Sequence, residues 1–247
     1  MITDIYIDAY LCSIYAAARA IKDLNRRLKS ERTYDSPREA IESTAEWYAR
    51  DWWEKQPYYV EVMSEKEALI NDVCERWQVP YTIVHGYNST TAAYDAGKRF
   101  RTKIDNGRQV LVLYVGDFDP SGLQMQEDLE ERINLVAGST GSIEVKRLGL
   151  TREQVRQYRL PGQKVKLPAE KKEGDGRLKK GEDSRAAKYV KQHGKLCWEV
   201  DALPPELIPN FIEQAVEAVI DNKKLGHAQT MQEREKKRLL KLANEWK

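Results

Sequence analysis

Cysteine is scarce. Cys12, Cys74 and Cys197 are far apart and odd in number, which argues against a disulfide framework. Histidine is no commoner: His85, His193 and His227 are too dispersed for a zinc site, and His193 with Cys197 four residues on supplies only two potential ligands. No apolar run approaches the ~18 residues needed to span a bilayer. There is no internal repeat and no glycine-rich phosphate loop. Neither sign of charge dominates, since 41 Lys and Arg face 39 Asp and Glu for a net +2. Net charge alone therefore does not announce nucleic acid; its distribution has to. The opening Met1-Ile2-Thr3-Asp4 carries an acid where a secretory signal carries Lys or Arg, so a cytoplasmic protein is expected. What is present is a chain of 247 residues, 41% hydrophobic, which is enough to bury a sizeable core without staples.

The pattern along the chain predicts an α/β protein. Residues 1–56 read as a helical arm, with Ile7, Leu11, Ile14, Ala18, Ile21, Leu24 and Leu28 at helical spacing. Ser36-Pro37-Arg38-Glu39 reads as a helix start, running to about Trp53. Strands and helices then alternate: strand 58–63, helix 64–77, strand 81–84, helix to about Lys103, strand 109–115, helix 121–136 and strand 143–145. The apolar run Val110-Leu111-Val112-Leu113-Tyr114-Val115 suits a strand covered on both faces. That order implies a mostly parallel, Rossmann-like sheet flanked by helices, occupying residues 57–150. Residues 151–195 form a basic, loop-rich insertion, with a short helix capped by Thr151 and Gln154 and a long loop over 162–183. A second short helix over 184–192 closes it. Residues 196–247 complete the core with a strand at 196–200, a helix over 203–222 and a charged C-terminal helix from about Gln229.

Two strands end in acids. The first runs into Ser64-Glu65-Lys66-Glu67, the third into Gly116-Asp117-Phe118-Asp119-Pro120-Ser121-Gly122. Ligand sites in open parallel sheets lie beyond the carboxyl ends of the strands. Asp117 and Asp119 are two apart, so in an extended segment both point the same way. Two hard oxygen donors suffice for Mg²⁺, which keeps several waters, and Glu65 faces them if the two strands are neighbours. Three carboxylates around such an ion suit phosphoryl chemistry. The same residues also have a structural reading: Asp119 as a plain helix cap, Glu65 as a dipole-favoured helix start.

Val62-Met63-Ser64-Glu65-Lys66, His85-Gly86-Tyr87 and Val112-Leu113-Tyr114-Val115-Gly116-Asp117-Phe118-Asp119-Pro120-Ser121-Gly122 together resemble the Toprim (topoisomerase–primase) fold. The pattern is most similar to the A subunit of topoisomerase VI and its meiotic break-forming relatives. Trp198-Glu199-Val200-Asp201-Ala202-Leu203 resembles a late stretch of that subunit. With Asp183-Ser184-Arg185 added, the whole is similar to a group of bacterial and phage Toprim proteins of poorly defined activity. The resemblance covers about residues 57–205. It implies Glu65 as general acid/base, Asp117 and Asp119 as ligands of Mg²⁺ (Mn²⁺ as a substitute), Lys66 as a phosphate contact, and Glu199 and Asp201 as additional acids. It also implies nucleic acid as partner, DNA ahead of RNA, with a second copy or a partner subunit and no membrane. Topoisomerase VI-like enzymes break DNA with a tyrosine on a preceding winged helix. Here Tyr6, Tyr10, Tyr15, Tyr34 and Tyr48 match no such motif, so a water nucleophile is expected.

Charge distribution adds a second expectation. Residues 146–196 hold 16 Lys and Arg against 6 Asp and Glu. Arg147, Arg152, Arg156 and Arg159 lie close to the end of the fourth strand, the last three at helical spacing, as candidate phosphate contacts. Trp47, Trp52, Trp53, Tyr58 and Tyr59 are expected to pack between arm and sheet. The function expected is Mg²⁺-dependent cleavage of nucleic-acid phosphodiesters, nuclease- or topoisomerase-like. The alternative is a non-catalytic nucleic-acid-binding or assembly subunit. Asp-x-Asp after a strand also occurs in haloacid-dehalogenase-like phosphatases and sugar-nucleotide glycosyltransferases. The former want Thr or Val after the second Asp, where this chain has Pro120-Ser121-Gly122.

Overall fold

A computed structural model of the chain describes residues 33–84, 90–138, 142–165 and 182–245. The helical stripe of residues 1–32, with Cys12, Tyr6, Tyr10 and Tyr15, lies outside the described residues. So do His85-Gly86-Tyr87 and positions 166–181 of the expected loop. The described residues divide into two compact units, one of 33–47 with 237–245 and one of Tyr48–Lys236.

The larger unit is an α/β sandwich around four parallel strands: β1 (Tyr58–Ser64), β2 (Tyr81–Ile83), β3 (Gln109–Val115) and β4 (Ile143–Gly149), in the order β2-β1-β3-β4. The helix α1 (Pro37–Trp47) precedes them in the smaller unit. Between the strands run α2 (Asn71–Trp77), α3 (Thr90–Asp105) and α4 (Pro120–Ala137). After β4 come α5 (Arg152–Gln157), the two-residue strands β5 (Gln163–Lys164) and β6 (Leu196–Cys197) with α6 (Glu182–His193) between them, then α7 (Leu207–Glu217) and α8 (Asn222–Glu245).

Two apolar layers hold the sheet. Alternate residues of a strand face opposite sides. Val60, Val62, Leu111, Leu113 and Val115 pack with Val73 and Cys74 of α2 and Ile208, Ile212 and Val216 of α7. Tyr59, Met63, Val110, Val112 and Tyr114 pack on the other side with Ala93, Ala96 and Phe100 of α3 and Leu129 and Ile133 of α4. With both faces covered, β1 and β3 are buried along nearly their whole length, which is why β3 reads as a nearly continuous apolar run. Among the described residues no helix is long and apolar enough to cross a membrane.

Several boundaries differ from the sequence expectation. The helix opened by Ser36 ends at Trp47, not Trp53, because the chain turns to bury Trp53, whose indole N–H donates to the Trp77 carbonyl at 2.8 Å. Trp47 is 70% exposed, whereas Trp53 and Tyr59 are core residues and Trp52 and Tyr58 pack against the core. The continuous helix 64–77 is instead a 3₁₀ turn at Glu67–Leu69 followed by α2. Position 163, placed in the long loop, begins the β5 strand paired with β6. The strand 196–200 stops at Cys197: Trp198 exchanges backbone bonds with Phe118 instead, and Val200–Ala202 is a 3₁₀ turn.

Candidate functional site

β1 and β3 are neighbours in register, with Ser64 opposite Val115. The chain leaving each strand therefore carries Glu65 and Gly116-Asp117 out side by side at the carboxyl end of the sheet. The two strands are held there by apolar packing on both faces, so the acids sit on a rigid edge rather than a loose loop.

Local sequence chemistry fixes each acid. Asp119 is the N-cap of α4: its Oδ1 accepts the Gly122 N–H at 2.6 Å, and Pro120 occupies the first turn. Asp117 Oδ1 accepts the Val200 N–H at 2.8 Å, which ties the β3 end to the 3₁₀ turn at Val200–Ala202. Gly122 must lack a side chain, because a Cβ there would strike the Asp117 carbonyl oxygen. Gly116 is equally confined, with a Cβ meeting the Tyr114 ring at 2.8 Å.

Glu65 has no such support. Among the described residues its buried Oε1 has no hydrogen-bond partner, although the residue as a whole is half-buried. Burial pushes its carboxyl above the usual range, and the negative charges of Asp117 and Asp119 push it further. Burial also raises Asp119, against the lowering effect of the Gly122 N–H.

Positive charge stands close by. Lys66 forms an ion pair with Asp201. Burial pulls the Lys66 ammonium down, but Asp201, Asp117 and Glu199 outweigh it and leave the group above its ordinary value. Arg147 is used differently from the phosphate contact expected of it. Its guanidinium donates to the carbonyls of Leu150 (2.8 Å), Gly116 (2.9 Å) and Asp117 and to Gln126 Oε1 (2.7 Å), and it lies over the Tyr114 ring at 5.3 Å. It braces the loop that carries Asp117. Burial lowers its guanidinium, partly offset by Tyr114, Asp117, Glu65 and Asp119.

The remaining expected residues are more scattered. Glu199 and Asp201 are exposed; Asp201 holds Lys66 rather than joining the acids, and Glu199 contributes only charge. Arg152 and Arg156 are exposed on α5, whose Thr151–Gln154 capping box forms as expected. Arg159 is exposed too, but α5 ends at Gln157 and Arg159 takes a left-handed φ of 50°, so the three arginines do not share one helical face.

Among the described residues no group of three Asp, Glu, His or Cys side chains is placed to hold a metal ion. Mg²⁺ does not need such a group, since it takes one or two carboxylates and keeps waters. The donor set of hard oxygens, with one buried and unpartnered, fits such an ion. Sequence reasoning missed Tyr114, whose hydroxyl is also buried without a partner, and Glu61, a buried acid bonded to Arg99, Thr82 and Tyr59. The signal for Glu61 was present: an acid inside the apolar run Val60-Glu61-Val62. The chain matches no protein-family model, and no curated protein matches its sequence.

Proposed function

We propose that the chain is a Toprim-like, metal-dependent phosphodiesterase of nucleic acid, DNA ahead of RNA, acting in the cytoplasm. The observation that supports this is that Glu65 and the Asp117–Asp119 segment leave neighbouring parallel strands at the same end of the sheet, with Glu65 Oε1 buried and, among the described residues, unpartnered. Asp117 and Asp119 would hold Mg²⁺ or Mn²⁺. Such an ion, when bound, offsets the negative charge of the phosphate under attack.

The chain's own groups would do the rest. Burial holds Glu65 toward its protonated form, which suits it to give a proton to the departing sugar oxygen. A water adds to phosphorus and releases its proton to solvent. The phosphorus–oxygen bond to the sugar breaks, and that oxygen takes the Glu65 proton. Lys66 stands where an incoming phosphate can exchange with Asp201. Arg147 keeps the Asp117 carbonyl in place, and the exposed Arg152, Arg156 and Arg159 offer salt-sensitive contacts to the polyanion.

The test is nicking of supercoiled plasmid, and cleavage of RNA, with Mg²⁺ and with chelator. Asp117→Asn is expected to remove Mg²⁺-dependent cleavage, and Glu65→Gln to slow it by on the order of 100-fold. Cleavage that survives Asp117→Asn overturns the assignment. One observation favours the second reading, a non-catalytic binding subunit: Asp117 Oδ1 is already engaged by the Val200 N–H. Salt-sensitive DNA binding with no metal-dependent turnover selects that reading.

A further inference from the structure

We propose that Tyr114 is a positioning residue of this centre: its hydroxyl donates to a water that in turn donates to Glu65 Oε1, fixing which Glu65 oxygen faces the substrate. The inference rests on the function proposed above.

Tyr114 lies in β3 and is wholly buried, yet among the described residues no group accepts from its hydroxyl. A buried hydroxyl without a partner lowers stability, and Phe would fill the same volume without that cost. The hydroxyl is thus unexplained by packing. One strand away stands its complement. Glu65 Oε1 is a buried acceptor with no donor, just as Tyr114 is a buried donor with no acceptor. The register sets Tyr114 opposite Met63, two residues before Glu65, at the same end of the sheet. Met63 and Tyr114 belong to the same apolar layer, so both strands turn this side toward α3 and α4.

The ring cannot swing away to find another partner. The guanidinium of Arg147 covers one face at 5.3 Å. Gly116 lies so close that a Cβ would sit 2.8 Å from the ring edge and 2.9 Å from the hydroxyl oxygen. Burial followed by the Glu65 charge raises the phenol far above its ordinary range, so it remains a donor throughout. Buried waters typically join two to four polar groups, and a donor and an acceptor both left over on neighbouring strands are what such a water satisfies.

The variant is Tyr114→Phe, which preserves the packed ring. Three measurements are made: a high-resolution crystal structure of the metal-free protein, the unfolding temperature, and kcat and KM for plasmid nicking. A water within hydrogen-bonding distance of both Tyr114 Oη and Glu65 Oε1 is expected in the parent and is absent from the variant. The variant keeps the parent's KM for plasmid and loses about tenfold in kcat, with an unfolding temperature within a few degrees. No shared water in the parent overturns the proposal. So does an unchanged kcat, or a drop in unfolding temperature as the sole effect, which marks a purely structural hydroxyl. If the parent does not cleave, the function proposed above fails, while the crystallographic arm still decides whether Tyr114 positions Glu65.

Discussion

Asp119 caps a helix and is proposed to hold a metal, and two substitutions divide the two roles. As a helix cap it needs only an oxygen that accepts the Gly122 N–H; the proposed metal role needs negative charge. Asp119→Asn therefore keeps the cap, and Asp119→Ala removes it at a cost of about 1 kcal/mol. Both are expected to lose Mg²⁺-dependent cleavage, while urea denaturation separates them, with Ala below Asn in stability. Equal stability of the two would remove the capping role. Gly122 offers a sharper steric test. A methyl group there meets backbone, which cannot yield as a side-chain tip can, so Gly122→Ala is expected to cost roughly 1–3 kcal/mol and to displace the Asp117 peptide. Denaturant midpoints read the first effect and loss of cleavage the second.

At the level of elements, one ion pair between a buried acid and a partly exposed arginine joins three pieces of structure. Glu61 of β1 is 1% exposed, and its carboxylate accepts from Arg99 of α3 (2.7 Å), Thr82 of β2 (2.7 Å) and the Tyr59 hydroxyl (2.9 Å). Arg99→Ala leaves the charge buried with only two hydroxyl donors, and a loss of about 2 kcal/mol is expected in chemical denaturation. A neutral result would mean that the hydroxyls alone satisfy Glu61. Such details mark the limit of what periodicity reveals. The strands that end at Glu65 and Asp117 were legible because an apolar run with a turn at each end has few other fates, whereas their adjacency came only with the structure. The capping box at Thr151 was legible because it is a four-residue pattern. The end of the 196–200 strand was not, since Trp198 pairs with Phe118, eighty residues away in sequence, and nothing local announces it. Arg147 was misjudged for the same reason: a basic residue near a strand end looks like a phosphate contact until the carbonyls around it are placed.

For the whole molecule, titration sets the useful pH range. Burial pushes the Cys74 thiol up to about 12. A raised folded value means a contribution fully present below the ordinary thiol pKa of about 8.5 and lost as pH climbs toward 12. Burial and Arg152 lower His193, so its contribution holds above its ordinary value and falls away as pH drops below about 6.5. Unfolding temperature is expected to fall on the alkaline side, and Cys74→Ser or Cys74→Ala should flatten that limb. An unchanged limb would assign it to other groups. The native Cys74 thiol is also expected to resist a disulfide reagent at pH 8 until the protein unfolds, because only the thiolate attacks.

The carboxylates Glu65 and Asp119, also raised by burial, act in the same sense as Cys74 but at lower pH. Held above their ordinary values by burial, they weaken the fold once ionised, and a cation bound among them restores that loss. The most direct measurement is therefore anomalous diffraction from crystals soaked in Mn²⁺. A peak beside the Asp117 and Asp119 carboxylates, absent in Asp117→Asn, is the predicted result. Diffraction that shows no peak there at millimolar Mn²⁺ contradicts a metal centre at these strand ends.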